Sequence, residues 1–173
     1  PPEGMLFLLT ADSLAGVLPT IRSRCVSFAI APVSPADCAR YCTAHGVDKK
    51  TAALYSELFD GHIGTVLTAA RDKARTEQVD KAMELARAAQ AGDSYTAAVL
   101  LAPYEKDKAG AAALLRDLRA VAAAGLQGSP HAPVQGQQAQ RTLRLAEAAI
   151  QRLGAQVNPK IVLTVFAARL AHA

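Results

Sequence analysis

Aromatic residues are scarce, at 5% of 173 residues, although apolar residues make up 51%. Alanine and leucine therefore carry most of the apolar surface. Small unbranched residues cost little in a helix and pack poorly on a sheet, so the composition favours packed helices over a β-sandwich. Cysteine is scarce too. Cys25, Cys38 and Cys42 are odd in number and unevenly spaced, which excludes a disulfide framework and fits a reducing, cytoplasmic setting. No run approaches the ~18 consecutive apolar residues of a membrane span. No charged segment precedes an apolar one as in a signal peptide.

Nucleotide-binding signatures are missing as well. There is no G-x-x-x-x-G-K-[ST] loop and no glycine-rich fingerprint after a strand. None of the four histidines has a recognisable catalytic context. We therefore expect no intrinsic catalysis and no cofactor in this stretch. The net charge of +4 is mildly basic, compatible with nucleic acid, but no Lys/Arg stripe makes the case.

Three regions separate by pattern. Met5–Ala11 is a short continuous apolar run of the kind that fills a buried parallel strand. "DSLAGV" reads as a helical turn capped by Asp12 or Ser13. In "CVSFAIAP", Val26, Phe28 and Ile30 alternate with smaller residues, predicting a second strand ended by Pro32. A lone strand cannot satisfy its edges, so the opening reads as the middle of a larger protein.

From Ser34 the pattern is helical. "SPADCARYCTAHG" has an N-cap serine, a proline at the first helical position and a glycine stop. "DKKTAALYSELFDG" repeats that logic, and "HIGTVLTAARDKARTEQVDKAMELARAAQAG" opens a third helix with a break near Thr76. Further helices are expected over 94–101, 106–124, 137–153 and 159–172, with "GLQGSPHAPVQG" as a mobile loop. Leu114, Leu118 and Val121, then Leu143, Ile150 and Leu153, recur at helical spacing and give faces suited to a bundle.

Two arginines stand apart in "LPTIRSRC". Read alone, Arg22 and Arg24 are either solvated turn residues or groups that act on another molecule. "MLFLLTADSLAGVLPTIRSRCVSF" resembles the sensor-1 strand and Ser-Arg-Cys motif of clamp-loader AAA+ proteins. "ELFDGHIGTVLTAA" is similar to the segment opening that family's sensor-2 helix, and "QVNPKIVLTVFAARL" to the last helix of its collar. The resemblance spans essentially the whole chain in order.

It implies a mainly α protein. The end of an AAA+ α/β core with short strands (1–32) would be followed by a three-helix lid (33–76) and a helical collar that oligomerises (77–173). It also implies that Arg24, within Ser23-Arg24-Cys25, is an arginine finger serving a neighbour's ATP. Arg22 would form a structural or interfacial salt bridge. Thr10 or Ala11 falls at the sensor-1 position, although a threonine bonded to its own backbone is the plainer reading of Thr10. Gly64 takes the place of the family's sensor-2 arginine, which implies a non-hydrolysing subunit over the gamma/tau-type motors. Implied partners are gamma/tau and delta subunits and, indirectly, the sliding clamp and primer–template DNA. An unrelated helical oligomerisation or DNA-binding scaffold is the rival reading.

Cys38, Cys42 and His45 share a helical neighbourhood, but a structural zinc takes four ligands and no fourth lies nearby. No metal is expected, and both cysteines read as buried small hydrophobes. Cys25 reads as an inert thiol packed under the arginine turn.

Overall fold

The computed structural model describes residues 4–11, 13–31 and 33–171. Among them the chain is mainly helical and contains no strand. It divides into two units at Ala31.

In the first unit, Met5–Ala11 and Val26–Ala31 are irregular and exposed rather than paired as strands. The physical reason is the lack of a ladder. An apolar run becomes a strand only when a neighbouring segment satisfies its N–H and C=O groups. Between the two runs lie a single 3-10 turn, Leu14–Gly16, and a four-residue helix, α1 (Pro19–Arg22). Ser13 caps the 3-10 turn by accepting from Ala15 N at 3.2 Å. Asp12, the other expected cap, and Pro32, the expected strand end, lie outside the described residues.

In the second unit, α2 (Pro35–Ala44) starts as its sequence predicts. Ser34 Oγ accepts from Asp37 N at 3.1 Å, and Pro35 sits where a missing N–H costs nothing. Asp48 Oδ2 accepts from Lys50 N and Thr51 N at 3.0 and 3.1 Å and starts α3 (Lys49–Leu58). α3 ends in a turn whose Asp60 and Gly61 both have positive φ, 47° and 73°. Gly61 is needed twice over, because a Cβ there would stand 1.7 Å from Val33 O.

α4 (Ile63–Arg71) and α5 (Lys73–Ala91) are separated by one residue, Asp72. The expected break near Thr76 thus falls four residues earlier. Asp72 Oδ1 accepts from Ala74 N at 2.9 Å, so its carboxylate starts the new helix. Thr76 is already inside α5 and donates across the break to Ala69 O at 2.8 Å.

α6 (Ser94–Leu101), a 3-10 turn, α7 (Lys108–Leu126), α8 (Gly136–Gly154) and α9 (Pro159–Ala171) complete the bundle. The main pairs are α7 with α8, α5 with α7, and α6 with α9, while α2 packs chiefly on α3. Leu114, Leu118 and Val121 are buried as their spacing predicts. α8 differs: Leu143 and Ile150 are only partly buried, and its core face is Ala139, Thr142, Ala146, Ala149 and Leu153. Small residues there let α7 and α8 approach closely.

The loop expected to be mobile is instead tied down. Ala132 and Val134 are buried, and Gln135 Nε2 donates to Ser129 O at 3.0 Å. Gly125 on α7 permits this, since a Cβ there would meet Val134 O at 1.9 Å. Among the described residues, no helix is long and apolar enough to cross a membrane.

Candidate functional site

The arginine turn is built by its neighbours. Pro19 opens α1, and Leu18 O accepts from both Ile21 N and Arg22 N at 3.0 Å. Ser23 ends the helix with its N–H on Pro19 O at 2.9 Å and its hydroxyl on Thr20 O at 3.2 Å. Arg24 N donates to Ile21 O at 3.0 Å. The backbone of Ser23-Arg24-Cys25 is therefore fixed by local bonds, while the Arg24 side chain stands in solvent. Arg22 is exposed too, and among the described residues neither arginine forms an ion pair.

Cys25 departs from expectation. It is exposed, not packed beneath the turn. Burying it requires a surface laid over the turn, and among the described residues none covers it. Thr10 is exposed, and its hydroxyl makes no bond among the described residues. The structure does not bring Thr10 into a site with Arg24. The apolar runs that flank the turn are also in solvent, with Leu8 87%, Phe28 85% and Ile30 94% exposed.

Cys38 and Cys42 are buried on one face of α2, as expected. Burial pushes the Cys42 thiol up from its ordinary pKa, and the neighbouring Cys38 adds to it. His45 is directed elsewhere: its ring stacks on Tyr41 at 3.9 Å and Nδ1 lies 2.8 Å from Tyr41 O. Among the described residues, no three His, Cys, Asp or Glu side chains are grouped to hold a metal ion.

Gly64 sits exposed in the first turn of α4, with no atom within 4 Å of where a Cβ would stand. The surface is open at this position, and a glycine brings no charge to it. Arg71, the last residue of α4, is exposed but also donates to His45 O at 2.8 Å, tying the end of α4 to the end of α2.

Two polar arrangements escaped sequence reasoning. Arg75 on α5 grips Asp117 on α7 with both terminal guanidinium nitrogens, and Gln78 Nε2 adds a bond at 2.9 Å. Ser129 Oγ donates to Glu57 Oε2 across the second unit. The residues involved are 39 to 72 apart in sequence, so no short motif could signal them. Beside Glu57, a cleft of about 360 Å³ opens between the end of α3 and the flanks of α7 and α8. Its charged lining is Glu57, Asp60, Arg119 and Glu147.

Comparison with family models, curated proteins and solved structures returns no match for this chain.

Proposed function

We propose that this chain is the C-terminal part of a delta-prime-type subunit of a bacterial DNA polymerase III clamp loader, working in the cytoplasm. It acts as a non-hydrolysing stator. It joins gamma/tau and delta subunits through its collar, and the assembly opens the sliding clamp and loads it on primed DNA. Arg24 serves the neighbouring subunit's ATP.

The observation that carries this reading is the Ser23-Arg24-Cys25 turn, with its backbone fixed and its guanidinium free in solvent. A guanidinium stays protonated and offers a planar fork to phosphate oxygens, so it suits charge building on a γ-phosphate. Fingers supplied in trans are worth ~10³–10⁵ in rate. The open, uncharged position at Gly64 favours a subunit that does not hydrolyse ATP itself. Exposed Tyr95 and Val99 on α6, with Ile161 and Val165 on α9, supply apolar surface for a collar contact.

The test is light scattering after gel filtration, on the chain alone and mixed with gamma/tau and delta subunits, followed by ATPase assays. A lone monomer that enters a larger complex only in the mixture supports the stator reading. Arg24→Ala should then lower ATP turnover at the adjacent site by ~10³-fold or more, with assembly unchanged. Self-assembly of the chain alone would favour the gamma/tau-type reading. Failure to associate at all would sink both.

A further inference from the structure

We propose that the outer face of α7–α9 is a binding surface for double-stranded nucleic acid, held through its phosphate backbone without sequence preference. The inference does not rest on the clamp-loader reading, because it follows from how charge is distributed over the fold.

The charge of the chain is lopsided. From Lys108 to Ala171 there are eight Lys or Arg and two Asp or Glu, whereas from Val33 to Asp107 acidic residues outnumber basic ones by eleven to nine. Of the two acids on the basic side, Asp117 is buried and held by Arg75 and Gln78. The other, Glu147, faces Arg119 at 3.9 Å. Among the described residues, Arg116, Arg141, Arg144 and Arg152 have no carboxylate partner. Such an asymmetry of sign is the electrostatic footprint of a polyanionic partner.

The fold gathers these arginines. α8 packs against both α7 and α9. Its core positions are Ala139, Thr142, Ala146, Ala149 and Leu153. At about 100° per residue, Arg144 lies opposite them, with Arg141 and Arg152 within about 80° of it. The Arg119–Glu147 contact joins α7 to α8 one turn from Arg144, and Arg116 stands one turn along α7. On the α9 side, Arg141 donates to Arg169 O at 2.7 Å. No stripe shows in the sequence because the residues are spread over three helices.

The make-up of the face selects the partner. Six of the eight cations are arginine, whose planar fork takes two phosphate oxygens at once. On α8, exposed Gln137, Gln140 and Gln151 add amide donors of the kind that contact phosphate and sugar. A helix lying on a membrane would set large apolar residues at those positions. A single-strand surface uses aromatic platforms for stacking bases. The one Phe, Tyr or Trp between Lys108 and Ala171 is Phe166, which is buried.

Fluorescence anisotropy of a labelled duplex of about 20 base pairs with the full chain tests this. Contact with about four phosphates predicts an affinity that falls about a hundred-fold between about 50 and 200 mM salt. Arg116→Glu with Arg144→Glu should weaken binding at least about ten-fold and lower the salt slope by about 2. Lys49→Glu with Lys50→Glu changes the net charge equally on α3 and should leave the affinity within about three-fold. All four positions are exposed, so neither double variant touches the core. A single strand of the same length should bind more weakly than the duplex. Absence of salt-sensitive binding, equal losses in the two double variants, or preference for the single strand would each overturn the proposal. Capture by phosphatidylserine vesicles without binding to duplex would overturn it in favour of an anionic membrane.

Discussion

Arg75 and Asp117 form a two-pronged ion pair between α5 and α7, with Nη2 to Oδ1 at 2.5 Å. Asp117 is almost wholly buried, whereas Arg75 keeps about a quarter of its side chain in water. The Asp117 carboxylate, chiefly by hydrogen bonding, holds the guanidinium above its already high ordinary pKa. Removing one partner strands a charge in the interior. Arg75→Leu should therefore cost about 3 kcal/mol in urea unfolding, the lower end of the range for buried pairs because Arg75 is partly solvated. Replacing both, as Arg75→Leu with Asp117→Leu, should recover most of that loss. A double variant no more stable than the single one would show that the pair supplies more than charge balance.

One glycine pressed against a carbonyl oxygen and one facing open space make a second prediction. A methyl group at Gly125 would sit 1.9 Å from Val134 O, a backbone atom of a loop that cannot retreat without unburying Val134. Gly125→Ala should destabilise by ~1–3 kcal/mol, although alanine is the better helix former. Gly64→Ala meets nothing and should instead stabilise by ~0.5–1 kcal/mol. The opposite signs, read from two thermal melts, separate steric cost from propensity.

Much of the helical part was legible because its signals are local. Ser34 and Asp48 mark helix starts through bonds made within three residues, Pro35 through its missing N–H, and those starts stand where the sequence places them. The α4–α5 break was misplaced because Asp72 and Thr76 both carry cap chemistry, and only the fold decides which carboxylate or hydroxyl is used. The Gly- and Pro-rich loop misled for a different reason. Its composition reports backbone freedom, whereas its order comes from Val134 entering a gap that Gly125 leaves in another element. The apolar runs around Phe7 and Phe28 express a demand for a partner. Among the described residues nothing meets it. At the candidate site, the local bonds of the Ser23 turn follow from its sequence, but the exposure of Cys25 depends on what covers the turn.

Acid should attack two helix starts in particular. Thr51 and Lys50 amides hold Asp48 below its ordinary pKa, and the Thr96 hydroxyl, then its amide, do the same for Asp93. A depressed carboxyl stabilises the fold above its unfolded pKa, and that contribution is lost as pH falls through the folded value. Stability should thus be flat from neutral pH to about pH 5 and decline below about pH 4. Asp48→Asn and Asp93→Asn keep a capping oxygen but do not titrate, so each should flatten the acid limb in urea unfolding measured from pH 6 to pH 2. An unchanged slope in the double variant would place the acid sensitivity elsewhere.

Thiol chemistry reads the burial of the three cysteines directly. Cys25 is exposed at the end of the arginine turn, whereas Cys38 and Cys42 are fully buried and wait on opening of the helices around α2. Reaction at a buried thiol follows the population of the open form, which for a domain of ordinary stability is below about one in a thousand. An aromatic disulfide reagent should therefore release one equivalent rapidly and two more at least about a thousand-fold slower. Cys25→Ser should abolish the burst and leave the slow phase intact. Urea should merge the phases at the unfolding midpoint. A burst of two or three equivalents in native buffer would mean that α2 is not packed as described, and it would remove Cys38 and Cys42 from the core.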